Sequence, residues 1–221
     1  MASTKDLVAR LMKLDSCAVS DAMDSLSLPP AISGIRRLAT EQKIAGPVLT
    51  VKLGSSRPEG GPVRHLCTGA IEAAEPGSII VVEQRTGLDA GSWGGVLSNA
   101  AKFKGVAGAI CDGPSRDIDE AHALNFPVFA RGTTARTARG RVFEVGFNLP
   151  VEIGEVQVTP GDLVIADGTA VVFIPQARAE EVVAAAERIA KKEQLMVEAV
   201  QRGEPASQVM GANYETMLGK A

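Results

Sequence analysis

The chemistry-bearing part of this chain is the stretch 94–120, GGVLSNAAKFKGVAGAICDGPSRDIDE. Gly94 and Gly95 stand where the pattern predicts a helix over 94–104 to begin. The first N–H groups of a helix have no intrahelical acceptor. Glycine lets a ligand approach them closely, and the helix dipole adds partial positive charge. Such a turn suits a carboxylate or phosphate, although two glycines also make a plain tight turn after Asp89-Ala90-Gly91. At the other end, DGPSRD presents Arg116 and Asp117. Arginine offers a planar fork matched to a carboxylate. Aspartate offers hard oxygens suited to a divalent cation such as Mg²⁺. A neighbouring Arg-Asp pair also serves as an ordinary surface ion pair and helix cap. The two ends share one pocket only if the helix packs antiparallel to the strand that follows it.

The surrounding pattern supplies the elements to do this. Ser3 is a helix cap, with Asp6 in the first turn and Leu7, Leu11 and Leu14 at helical spacing. A second helix is expected over 19–26, stopped by Pro29-Pro30. Residues 44–53 read as a strand and 54–62 as a loop, followed by a helix over 65–74. Pro76-Gly77 turns the chain into the strand SIIVVE. Gly105 is the expected left-handed cap of the 94–104 helix. A strand over 106–111, a short helix over 116–124 and the strand PVFARG follow. Residues 142–175 are β-rich. EPGSIIVVEQ (75–84) and TPGDLVIADG (159–168) use the same Pro-Gly turn chemistry before an apolar strand. Residues 177–203 form a long amphipathic helix with a charged face, and 204–221 a peripheral tail. Strands and helices mix without strict alternation. The expectation is therefore an α/β sandwich with mixed sheets, in one domain over 1–221, rather than a doubly wound sheet.

Composition narrows the function. The net charge is −3 with no basic stripe, and the aromatic residues are one Trp, one Tyr and six Phe. Neither supports a nucleic-acid partner. No segment approaches the ~20 apolar residues of a membrane helix, and MASTKDLVARLMKL does not read as a leader, so a cytoplasmic protein is expected. Cys17, Cys67 and Cys111 are scattered and form no CxxC, as expected of reduced thiols. No GxGxxG follows a strand and no GxxxxGK[ST] is present. Lys102 and Lys104 read as the exposed face of their helix, and His65 and His122 as surface or packing residues.

The spacing Gly95, twenty residues, Arg116-Asp117, two residues, Glu120 resembles that of the class II pyruvate aldolases of the 4-hydroxy-4-methyl-2-oxoglutarate / 4-carboxy-4-hydroxy-2-oxoadipate type. The same superfamily includes the RraA-like proteins, which regulate an RNase. VSDAMDSL, AGPVLTV, EPGSIIVVE and TPGDLVIADGTAVVFIP also resemble family segments, so the likeness spans about residues 15–195. It implies an α-β-β-α sandwich with mixed sheets, of the RraA-like swivelling β/β/α type. It further implies a homotrimer or hexamer with sites at subunit boundaries. The backbone of Gly94, Gly95, Val96 and Leu97 would hold the carboxylate of a pyruvate-like group. Arg116 would neutralise charge on the 2-oxo oxygen, and Asp117 would ligate the divalent metal, Mg²⁺ or Mn²⁺. Glu120 would stand in the outer shell. The implied activity is cleavage of a 4-hydroxy-2-oxo acid to pyruvate and a second oxo compound, with oxaloacetate decarboxylation sharing the intermediate. The alternatives are an RNase-binding regulator without catalysis, and a hydratase or tautomerase on the same scaffold. The regulators typically lack the aspartate after the arginine, which this chain has. It departs from many relatives in having no acidic residue in the turn Gly-Gly-Val-Leu. The proton donor and acceptor stay unassigned between a metal-bound water and a carboxylate of a neighbouring subunit.

Overall fold

The computed structural model describes residues 2–60 and 65–211. Two helices open the chain, α1 (Thr4–Leu11) and α2 (Ser16–Ser25). The Ser3 hydroxyl accepts from Asp6 N, and the Asp6 carboxylate accepts from Ser3 N, a reciprocal capping box. α2 stops before the prolines, because Ser27 takes a left-handed φ of 54° and returns the Leu28 N–H to Met23 O.

The strands are β1 (Arg36–Ala39), β2 (Ile44–Gly54), β3 (Ile79–Glu83), β4 (Gly108–Ser115), β5 (Val128–Thr133), β6 (Phe143–Phe147), β7 (Val151–Ile153), β8 (Val156–Val158), β9 (Leu163–Ala166) and β10 (Val171–Ile174). Between them lie α3 (Thr68–Ala73), α4 (Gly95–Phe103) and α5 (Ile118–Ala123); after them comes the long α6 (Ala179–Gln201) and a short α7 (Ala206–Val209). The main sheet runs β1-β5-β4-β3-β2-β9-β10, with β6 also on β2 and β7-β8 as a separate hairpin. β2 makes the sheet curl. Residues Ile44 to Pro47 pair antiparallel with β9, whereas Val48 to Lys52 pair parallel with β3. At the changeover a side chain on Gly46 would place its Cβ 2.4 Å from Gly77 O, so glycine is required there.

Side-chain alternation along the strands produces four layers. Ile80 and Val82 of β3 pack with Leu97, Ala101 and Phe126 under α3, α4 and α5. Ile79 and Val81 face the opposite way, with Val164, Phe173 and Ile153, between the two halves of the curled sheet. Leu163, Ile165, Val172 and Ile174 meet Leu11, Met23 and Val183 of α1, α2 and α6. Three apolar interfaces separating helices, sheet, sheet and helices are the expected α-β-β-α sandwich with mixed strands.

Local expectations fare unevenly. The repeated turn is real: Gly77 (φ 87°) and Gly161 (φ 92°) both follow proline, and each turn closes with a 3.0 Å N–H···O bond. Gly105 (φ 77°) ends α4 as expected, sending Val106 N–H to Ala101 O. The helix expected over 65–74 is shorter, Thr68–Ala73, and β1 was not foreseen. β4 extends beyond Cys111 to Ser115, so Arg116 and Asp117 directly follow a strand and stand at the head of α5, which Asp117 caps. Most of the tail, 212–221, and loop residues 61–64 lie outside the described residues. Among the described residues no helix is long and apolar enough to cross a membrane.

Candidate active site

The segment before α4 is pinned along the end of β4. Ser92 N and Oγ both donate to Pro114 O, at 2.9 and 2.8 Å, and Arg116 N donates to Trp93 O at 3.0 Å. Trp93 pairs with Ser115 as an isolated parallel bridge. Its indole is buried, lies parallel to Phe126 with ring centroids 6.2 Å apart, and donates to Ser98 Oγ at 2.9 Å. These bonds carry the glycine pair to Arg116 and Asp117.

Asp117 has φ 59°, a left-handed conformation that aspartate tolerates better than most residues. It aims the side chain back at α4, and Asp117 Oδ2 accepts from Gly95 N at 2.9 Å. Arg116 Nε donates to both carboxylate oxygens of Asp117 at 3.2 Å. The stem of Arg116 lies over two glycines: a Cβ on Gly91 or Gly94 would come within 3.1 Å of it. Glu120 approaches from α5. A Cβ on Gly95 would fall 1.8 Å from Glu120 Oε2, so the missing side chain makes room for this carboxylate. Asn99 Nδ2 donates to Glu120 Oε1 at 2.7 Å and to Gly95 O at 3.0 Å.

Gly94, Gly95, Val96, Leu97, Arg116 and Asp117 line one cavity of about 210 Å³. Glu120 stands beside it, over Gly95. One amide differs from expectation: the Gly95 N–H is already engaged by Asp117. Sequence reading missed His65, Thr137 and Arg139, which line the same cavity. They arrive from loops remote in sequence, and no local pattern marks them. His122 turns elsewhere and accepts the Thr40 N–H at 3.2 Å, a packing role. Lys102 reaches Asn125 O at 3.3 Å, beyond the far end of α4. Cys67 and Cys111 are core residues; burial pushes the Cys111 thiol up to about 12 and Cys67 likewise upward, so neither is a nucleophile.

The donor set bears on the metal question. Among the described residues no three His, Cys, Asp or Glu side chains cluster as a cation cage. Mg²⁺ does not need one: it keeps several waters and takes one or two carboxylates plus substrate oxygens. Asp117 on the cavity wall and Glu120 beside it, whose Oε2 has no hydrogen bond among the described residues, fit that requirement.

Comparison with known proteins agrees with this fold. The family description RraA-like: Aldolase/RraA matches residues 16–173. The chain is 33% identical over 198 residues to a protein of Halalkalibacterium halodurans named "Putative 4-hydroxy-4-methyl-2-oxoglutarate aldolase", covering 89% of this chain and 88% of that one. It is 29% identical over 178 residues to protein DlpA of Legionella pneumophila, covering 80% of this chain but only 29% of DlpA. Among solved structures, RraAS2 of Streptomyces coelicolor, described as an unusual member of the RNase ES inhibitor RraA protein family, superposes with a TM-score of 0.78 at 29% identity, covering 86% of this chain and 96% of RraAS2. The matched span and the four-layer fold together place the chain in the RraA-like family.

Proposed function

We propose that this protein is a divalent-metal-dependent carbon–carbon lyase that cleaves a 4-hydroxy-2-oxo acid to pyruvate and a second oxo compound, and decarboxylates oxaloacetate at the same site. The observation carrying the reading is the 2.9 Å bond from Gly95 N to Asp117 Oδ2, which joins the head of α4 to the Arg-Asp pair in one cavity. The backbone N–H groups of Val96 and Leu97 lie in the first turn, have no intrahelical acceptor, and would receive the substrate carboxylate. Arg116 is fixed through Nε, and its two terminal nitrogens have no partner among the described residues. They would face the 2-oxo oxygen, where negative charge builds as the carbon–carbon bond breaks; one such donor is commonly worth ~3 kcal/mol. Asp117 would hold Mg²⁺ or Mn²⁺, and Glu120 would orient its water. A divalent cation there supplies Lewis-acid polarisation of the 2-oxo group. No Schiff-base lysine is required.

Val96 and Phe103, on the outer face of α4, are 83% and 92% exposed. Val96 stands on the cavity wall and Phe103 at the opposite end of the helix, so the apolar exposure runs along α4; it is in keeping with a trimer or hexamer in which a neighbouring copy covers this helix and borders the cavity. Purified protein with Mg²⁺ or Mn²⁺ and a panel of 4-hydroxy-2-oxo acids and oxaloacetate is expected to release pyruvate, read with lactate dehydrogenase. No pyruvate from any member, with either metal, removes the proposal.

Kinship with RraAS2 favours a second reading, a non-catalytic regulator that binds an RNase. It expects no pyruvate, and RNase binding that survives Asp117→Asn. A hydratase or tautomerase would instead convert the same acids without releasing pyruvate.

A further inference from the structure

The cavity at the head of α4 is half of a larger cleft. A second cavity of about 190 Å³ adjoins it, and the two share His65, Leu66, Ala138 and Arg139. Beyond that common wall stand Arg57 and Phe143. The Arg57 guanidinium carbon lies 5.6 Å from the centroid of the Phe143 ring. Neither Arg57 nor the Arg139 side chain meets a carboxylate among the described residues, whereas Arg10, Arg85, Arg131 and Arg178 each do. The acid in the second cavity, Glu144, accepts the Cys67 N–H at 2.7 Å, at the start of α3. Between the arginines the wall is apolar, from Leu66, Val142 and Phe143. A trough with an apolar wall and two guanidinium-bearing residues in its lining, Arg139 shared with the first cavity and Arg57 outside it, suits a ligand with an apolar body and an anionic tip.

We propose that the second cavity is the specificity subsite of the same active site. It takes the distal arm of the substrate, an apolar chain or ring ending in a carboxylate, read by Arg139 and Arg57. The near half of that substrate rests on the lyase reading; the distal subsite does not depend on which reaction occurs there.

Two series of ligands, offered to the full chain with Mg²⁺ in calorimetry, test it. One is the 2-oxo dicarboxylates of rising length, 2-oxoglutarate, 2-oxoadipate and 2-oxopimelate. The other is the 2-oxo monocarboxylates of equal length. The terminal carboxylate is expected to tighten binding by about tenfold or more, as a charge-assisted hydrogen bond does, at the longer members and not at the shortest. Arg139→Ala and Arg57→Ala are expected to erase the difference between the series, with Arg139→Gln as the milder variant should alanine disturb the loop. Arg116→Ala is expected to weaken both series alike. Equal binding of the two series by the unaltered protein overturns the proposal, as does equal weakening of both by the Arg57 and Arg139 variants. Pyruvate release, assayed alongside on 4-hydroxy-2-oxo acids, separates the two claims. A length-dependent carboxylate preference without pyruvate sinks only the lyase reading; pyruvate without that preference sinks only the subsite.

Discussion

Asp117 Oδ2 accepts the Gly95 N–H at 2.9 Å, so the proposed metal ligand also caps the helix that frames the cavity. Substitution separates the two duties. Asp117→Asn keeps an oxygen acceptor and a residue at ease with φ 59°, but loses the charge. It is expected to fold with stability within ~0.5 kcal/mol of the parent, bind Mn²⁺ far more weakly, and lose ~10²-fold or more in turnover. Asp117→Ala also removes the cap, costing about 1 kcal/mol more. Thermal unfolding and Mn²⁺ calorimetry check both. An Asn variant that keeps both its metal affinity and its turnover removes Asp117 from the metal site.

Gly95 and Glu120 compete for one space. The added methyl in Gly95→Ala would lie 1.8 Å from Glu120 Oε2, and the end of a glutamate side chain can swing away cheaply. Stability is therefore expected to change by less than ~1 kcal/mol, while turnover falls because Glu120 leaves its place. Asn99→Ala frees Glu120 Oε1 without crowding it, and is expected to lower kcat while leaving KM nearly unchanged. Gly46→Ala is the contrast: its Cβ would meet the backbone oxygen of Gly77 at 2.4 Å, which cannot swing away. That variant is expected to lose about 1–3 kcal/mol of stability. Steady-state kinetics beside thermal melts read all three; a Gly95→Ala enzyme with full turnover denies Glu120 any part in the reaction.

Much of this was legible in the sequence because the signals were local. The Pro76-Gly77 and Pro160-Gly161 turns, the Gly105 cap and the apolar strands each follow from their own few residues. The four-layer stacking needed more, since β2 changes partner midway and only the assembled sheet shows it. Arg116 and Asp117 were found by type and at the head of a short helix, which Asp117 caps, but the end of the strand before them was misjudged. An apolar run ending at Cys111 gives no sign that the strand continues through Asp112, Gly113 and Pro114. His65 and Arg139 were missed because a cavity gathers residues by topology, and a lone histidine or a loop arginine carries no periodic mark.

Asp167 gives the fold an acid limit. Burial alone would raise its carboxyl, but hydrogen bonds from Ser16 N, Thr169 N, Ser16 Oγ and Ala170 N outweigh this and hold it below the ordinary 3.8. A folded-state value below the unfolded one adds stability that is full at neutral pH and is lost as pH falls below 3.8 through the folded value. Asp167→Asn is thus expected to melt lower than the parent at pH 7, with the gap closing in acid. Melting curves from pH 7 downward check this. A gap that stays constant assigns the effect to geometry instead of charge.

Trp93 makes the site visible without a label. It is the only tryptophan of the chain, it is 1% exposed, and it borders the cavity between Gly91 and Gly94. Its indole N–H is committed to Ser98 Oγ, which in turn donates to Gly94 O at 3.1 Å. A ligand drawn to the first turn of α4 must disturb that chain of bonds. Oxalate added with Mg²⁺ is expected to change the Trp93 emission saturably, and Asp117→Asn to abolish the change at the same concentrations. Arg57→Ala should leave the signal intact, because oxalate is too short to reach the second cavity. Oxalate binding seen by calorimetry with no change in emission would place the ligand away from the head of α4 and remove the site drawn there.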